Sequence, residues 1–191
     1  MIDAAIGLLA SQLNQHLRRC FVLTEDIVAV SNLQEPDGTP VHLASNKLVL
    51  FLNGLERETA AHRGQGGGSL SRLGSLVGSE PVFVNLLLMV AANFSGNSYP
   101  EALKFLSSAI AFFQSKSVFD HQNTPELDGR LERLLLNIEN LSSSEMHSLW
   151  TIHGGRYMPS VLYRVRMVSL DGDGVLRREP YIQATDEKVG S

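Results

Sequence analysis

The 191-residue chain has a single cysteine, Cys20, so no disulfide within it can serve as a staple. A reducing compartment, the cytoplasm, is the expectation that follows. It also lacks a dominant charge. Sixteen Lys and Arg against twenty Asp and Glu give a formal net charge of −4, which argues against binding duplex nucleic acid. No apolar run is long enough for a bilayer. The longest, "PVFVNLLLMVAANF" at 81–94, falls short of the roughly 20 residues a spanning helix needs, and it carries Asn85. The opening "MIDAAIGLLASQL" has no basic residue ahead of its apolar ones and no cleavage pattern, so it does not read as a signal peptide. Membrane insertion is not expected.

Signatures of chemistry are equally scarce. The six histidines include no H-x-x-x-H pair, and one cysteine cannot build a zinc cluster. His147 and His153 flank one short predicted helix but have no catalytic partners at readable spacing. The glycines of 62–80 lack the G-K-[ST] ending of a phosphate-binding loop, and no G-x-S-x-G elbow occurs. "DGDG" at 171–174 opens like a calcium loop, but its later ligands are missing, and a tight turn explains it. The expectation is a protein with no cofactor, no metal and no enzymatic activity.

What is present is material for one folded domain with an appendage. Hydrophobic residues make up 43% and charged residues 19% of the chain, and a domain of this size buries roughly 70% of its unfolded surface. Ile2, Ile6, Leu9, Leu13 and Leu17 recur at helical steps, with Asp3 in the first turn. Residues 27–33 and 46–58 read as strands; Leu48–Leu52 is apolar on both faces and belongs inside a sheet. Between them, "EPDGTP" is strong turn chemistry. The segment 62–80 holds six glycines and four serines, which predicts a flexible hairpin tip before a central strand at 82–94.

Further along, Ser98 and Glu101 stand at capping-box spacing ahead of a helix over 99–114. Leu103, Leu106, Ile110 and Phe113 form its stripe, and Phe105 and Phe112 widen it, so the helix should be covered on more than one side. At 131–141, Leu131, Leu134, Leu135, Ile138 and Leu141 fit a helix, while Leu134, Leu136, Ile138 and Asn140 fit one strand face; periodicity alone leans to helix. Ser142 and Glu145 open another helix that carries Met146, Leu149 and Trp150 as core and stops at Gly154–Gly155. A last strand covers about 160–170. The sum is an α+β fold: a mixed, mostly antiparallel sheet of about five strands flanked by about three helices, with an extended C-terminal arm.

Three ordered stretches carry a resemblance: "PVFVNLLLMVAANFSGNSYPEALKFLSSAIAFFQSKSVF", then "HQNTPELD", then "NIENLSSSEMHSLWTIHGGRYMPSVLYRVRMV". Together with "MIDAAIGLLASQLNQHL" they resemble the cap, or tail-terminator, proteins of extracellular contractile injection systems, the phage-tail-like particles of the anti-feeding-prophage type. The resemblance runs to about residue 170. It implies a homohexameric ring on the distal end of a sheathed tube, contacting the inner-tube protein and the sheath protein and halting their growth. It also implies a strand at 131–141, a cap domain over 1–170, and a C-terminal arm at 171–191 that reaches the last sheath ring. Another tail component, such as a tube-completion or baseplate adaptor, is an alternative; so is a small-molecule-binding domain that uses 62–80 as a lid.

Arg164 and Arg166 share one side of an otherwise apolar strand, between Leu162 and Val168. One reading pairs them across the sheet with Glu56, Glu58 or Glu139. The other sets their planar forks against carboxylates of a partner subunit. Candidate interface residues are therefore Arg156, Tyr157, Arg164 and Arg166 on the domain, and Val175, Leu176, Arg177, Arg178, Tyr181 and Ile182 on the arm, where "VLRREPYIQA" suits strand addition.

Overall fold

Helix α1 (Ile2–Phe21) turns Ile6, Leu9, Leu13 and Leu17 inward, with Ala5, Ala10 and the polar Asn14 on the same buried side. It stops where Val22 enters the left-handed region (φ 53°) and returns its N–H to the Arg18 carbonyl. The computed structural model describes residues 1–58 and 83–169. Beyond α1 they form β1 (Val28–Val30), β2 (Lys47–Arg57), β3 (Phe83–Asn93), α2 (Tyr99–Ser115), β4 (Val118–Asp120), β5 (Leu131–Ile138), α3 (Ser143–Ile152) and β6 (Ser160–Ser169). The expectations for 62–80 and 171–191 lie outside the described residues.

The six strands make one sheet in the order β1-β2-β3-β6-β5-β4. β1 runs parallel to β2, and every other pairing is antiparallel. Strand alternation sends Leu48, Leu50, Leu86, Leu88, Val90, Tyr163, Val165 and Met167 to one face, where they meet α1 and α2 in the main core. Val49, Phe51, Met89, Ala91 and Leu162 point the other way and pack beneath Leu149 and Trp150 of α3, Leu33 and Ala44. The inner strands are therefore apolar on both sides for a reason. Phe113 of α2 is fully buried, edge-on to Tyr163 at 5.2 Å, and a phenylalanine so enclosed contributes about 1.5–3 kcal/mol by burial.

Several expectations are corrected. The sheet has six strands, because β4 runs into "FDHQNTPEL" at 119–127, whose residues read as loop; three residues carry no period and are held by pairing with Leu134 and its neighbours. Residues 131–138 are a strand, as the resemblance implies, paired to β6 through Leu134↔Met167 and Leu136↔Val165. Ser98 does not cap α2. A 3₁₀ turn at Gly96–Ser98 runs into the helix and leaves Ser98 at ψ 7°, so its side chain makes no capping bond. Ser142, at ψ 162°, has the extended backbone a cap needs, and there the full capping box with Glu145 forms. The buried stripe of α2 is Ala102, Leu106, Ala109 and Phe113; Leu103 is 40% exposed. Alanines bring the helix close to the sheet, while Phe105 and Phe112 meet Phe21 and His16 of α1. That helix is covered from two sides.

Candidate assembly interface

β6 leaves the α3-covered half of its sheet face at Leu162, and the next two side chains on that face are Arg164 and Arg166. Register sets Arg164 between Leu87 of β3 and Asn137 of β5, and Arg166 between Asn85 and Leu135. The Arg164 guanidinium spans this width. Its Nε donates to Glu139 Oε2 at 2.7 Å, just past β5, and its Nη1 pairs with Glu56 Oε2 on β2. One side chain thereby ties elements on either side of β3 and β6. Arg166 grips Glu58 Oε2 through Nε at 2.9 Å and Nη2 at 2.7 Å, and the Asn85 amide donates to the same oxygen at 3.2 Å.

The electrostatic consequences are direct. The hydrogen bond from Arg164 holds the Glu139 carboxyl below its usual range, and Glu139 with Glu56 raises the Arg164 value further above its own. Glu58 is buried, whereas Arg164 keeps a third of its side chain in solvent. Two forks are thus oriented by three carboxylates, and both arginine side chains remain partly exposed. All three glutamates named from sequence as partners are the partners found. The cross-sheet reading is therefore observed, and an additional grip on a partner is a matter of function.

The other candidates fall elsewhere. Arg156 and the 62% exposed Tyr157 lie in the turn joining α3 to β6, with the Tyr157 ring 5.8 Å from Trp150. Tyr157 borders an open groove of about 300 Å³ lined also by Met146, His147, Trp150 and Thr151; Arg156 does not line it. A second cleft of about 260 Å³ lies between Gln34, Glu35, Phe51, Ile152 and His153. There His153 Nε2 meets Asn53 Oδ1 at 2.8 Å, and burial pushes the imidazole value down. Val175, Leu176, Arg177, Arg178, Tyr181 and Ile182 lie outside the described residues. Among the described residues no group of three His, Cys, Asp or Glu stands ready for a metal ion, and no helix is long and apolar enough to cross a membrane.

A mixed six-stranded sheet with two helices on one face and a short third on the other, with ion pairs strung along that second face beyond the third helix, defines an α+β domain. Residues 5–184 match the Pvc16 N-terminal domain family, and the chain belongs to that family. Two solved structures share the fold. A PVC sheath/tube terminator of an extracellular contractile injection system, in its extended state, aligns over 100% of this chain and 65% of its own, at 14% identity and TM-score 0.55. The tube-terminating cap of the anti-feeding prophage aligns over 97% of this chain and 60% of its own, at 15% identity and TM-score 0.54. The chain thus spans about two thirds of the length of these structures. No curated protein matches it in sequence.

Proposed function

We propose that this chain is a terminator subunit that docks on the last ring of the tube and sheath of a contractile injection system and ends their growth. The observation that carries the reading is membership of the Pvc16 N-terminal domain family over residues 5–184; the fold shared with two terminators supports it. A helical assembly presents the same heterologous surface after every added ring, so nothing intrinsic ends it. A terminator must match that surface on one side and withhold it on the other. Shape and charge suffice for the task, and the proposal includes no catalysis, no cofactor, no nucleic acid and no membrane insertion.

In this reading six copies close a ring, as the resemblance implies, and touch the inner-tube protein and the sheath protein. The partly exposed side chains of Arg164 and Arg166 meet partner carboxylates, with Arg156 and Tyr157 at the α3 end of the same domain. Val175, Leu176, Arg177, Arg178, Tyr181 and Ile182 reach the sheath. The chain is made in the cytoplasm and then becomes part of the particle. Cryo-electron microscopy of particles carrying a tagged copy tests the proposal. Density for the tag at the distal end only is expected. A tag at the baseplate end favours an adaptor, and a tag absent from all particles rejects the reading.

A further inference from the structure

Among the described residues, the two ends of the sheet share a device. Flanking β1, Ile27 and Ser31 bond to β2, through Leu48 N–H to the Ile27 carbonyl and Ser31 N–H to the Leu50 carbonyl. Alternation therefore turns both backbone groups of Val28 outward, away from the sheet. Asn14 of α1 takes both: its Nδ2 donates to the Val28 carbonyl at 3.0 Å, and its Oδ1 accepts from the Val28 N–H at 2.8 Å. This buried asparagine stands where a seventh strand would pair.

At the opposite edge, Leu136 N–H bonds to the Ser117 carbonyl, so Val118 and Asp120 of β4 face outward. The Asn123 amide closes them in the same two-handed manner. Its Nδ2 donates to the Val118 carbonyl at 3.1 Å, and its Oδ1 accepts from the Asp120 N–H at 3.3 Å. The Thr124 N–H takes the Asp120 carbonyl at 2.8 Å, and the Thr124 hydroxyl donates to Asn123 Oδ1 at 2.6 Å, which fixes the amide's orientation. Asp120 Oδ1 in turn accepts the Gln122 and Asn123 N–H groups, pinning the turn.

An unpaired strand edge is a template for another chain, and proteins blunt it when pairing must be avoided. Side-chain amides reproduce the donor and acceptor of a neighbouring backbone, so each asparagine occupies the edge without extending it. We infer that Asn14 and Asn123 close this sheet to strand addition, so that second copies meet this domain by its faces and never edge to edge. The two closures come from unrelated segments, a helix interior and a turn, which chance packing does not require. The inference stands on the isolated chain and is independent of the proposed function.

The test uses the full chain alone, without tube or sheath. Asn123→Ala removes both bonds at the β4 edge. Hydrogen exchange at the Asp120 amide should quicken by about tenfold, the equivalent of one hydrogen bond lost. Light scattering should then show open-ended, concentration-dependent growth that binds thioflavin T, where the parent gives only discrete species. Asn123→Asp is the second variant: it keeps the acceptor for Asp120 N–H and loses only the donor, so exchange stays slow there while weaker growth appears. If the alanine variant fails to fold, growth of the folded aspartate variant decides in its place. Discrete species from a folded, edge-opened variant would overturn the inference, as would unchanged Asp120 exchange.

Discussion

Exchanging the charges of Arg164 and Glu139 separates what this pair does within the sheet from what it does for an assembly. The side chains are a third exposed and meet at 2.7 Å through a charge-assisted bond, with Glu56 on the other nitrogen. Exposed pairs couple by about 0.2–1 kcal/mol, and a shared guanidinium with good geometry puts this one near the top, about 1 kcal/mol. Arg164→Glu turns two attractions into repulsions among three carboxylates and should cost about 2–3 kcal/mol. At about 2–4 °C per kcal/mol for a chain of this size, that is a Tm lowered by about 4–12 °C, within the range a domain survives. Adding Glu139→Arg should recover about 1 kcal/mol or more. The assay is urea unfolding of parent, single and double variants at neutral pH, repeated in acid. Because Glu139 is held below its ordinary 4.5, its contribution is complete above that value and is lost as pH falls through the lower folded one. The coupling should vanish on that descent. A coupling below about 0.3 kcal/mol at neutral pH would refute the reasoning. If the fork also grips a partner, the restored double variant still assembles poorly; normal assembly would confine Arg164 to the sheet.

Other outcomes follow from single sites. Tyr163 is buried with no partner for its hydroxyl among the described residues, and burial keeps it protonated, so Tyr163→Phe should be neutral or stabilise by up to about 1 kcal/mol in urea unfolding. Gly154 has φ +87°, and a Cβ there would lie 2.6 Å from Gln34 Nε2, so Gly154→Ala should lose about 1–2 kcal/mol; Gln34→Ala should restore only the steric part, measured by the same unfolding. Burial depresses the His153 value, so the unfolded chain binds the proton more tightly. Stability from this site is full above about pH 6.5 and is lost as pH falls below it; a melting series should show that slope flattened in His153→Gln. Deleting residues 171–191 should leave the domain's melting unchanged and reduce incorporation into sheathed particles, counted by immunoblot of purified particles.

Much of this architecture can be read from the residues because period and burial agree. α1, β2 and β3 are long, strongly patterned, and covered as their patterns demand. Residues 131–138 mislead by period, since Leu131, Leu134, Leu135 and Ile138 fit a helix while Leu134, Leu136 and Ile138 fit one strand face; pairing with β6 decides the matter, and that is a non-local fact. β4 is similarly set by its neighbours. At Ser98 the capping spacing was right and the backbone was wrong, which spacing does not report. The carboxylate partners of Arg164 and Arg166 are legible because Glu56, Glu58 and Glu139 stand at the ends of strand-patterned segments, within reach of a long side chain across the sheet. Asn14 carries a signal of its own, a polar side chain inside the apolar stripe of α1, beside Leu13 and Leu17. Such a residue needs a buried partner, and Val28 supplies it.

The length of sheathed particles assembled with and without this chain tests the central claim most directly. If the chain ends the polymer, particles made in its absence are long and heterogeneous in electron micrographs, and adding it back during assembly restores one narrow length. Identical length distributions in both preparations, with bare distal ends in each, would contradict the account.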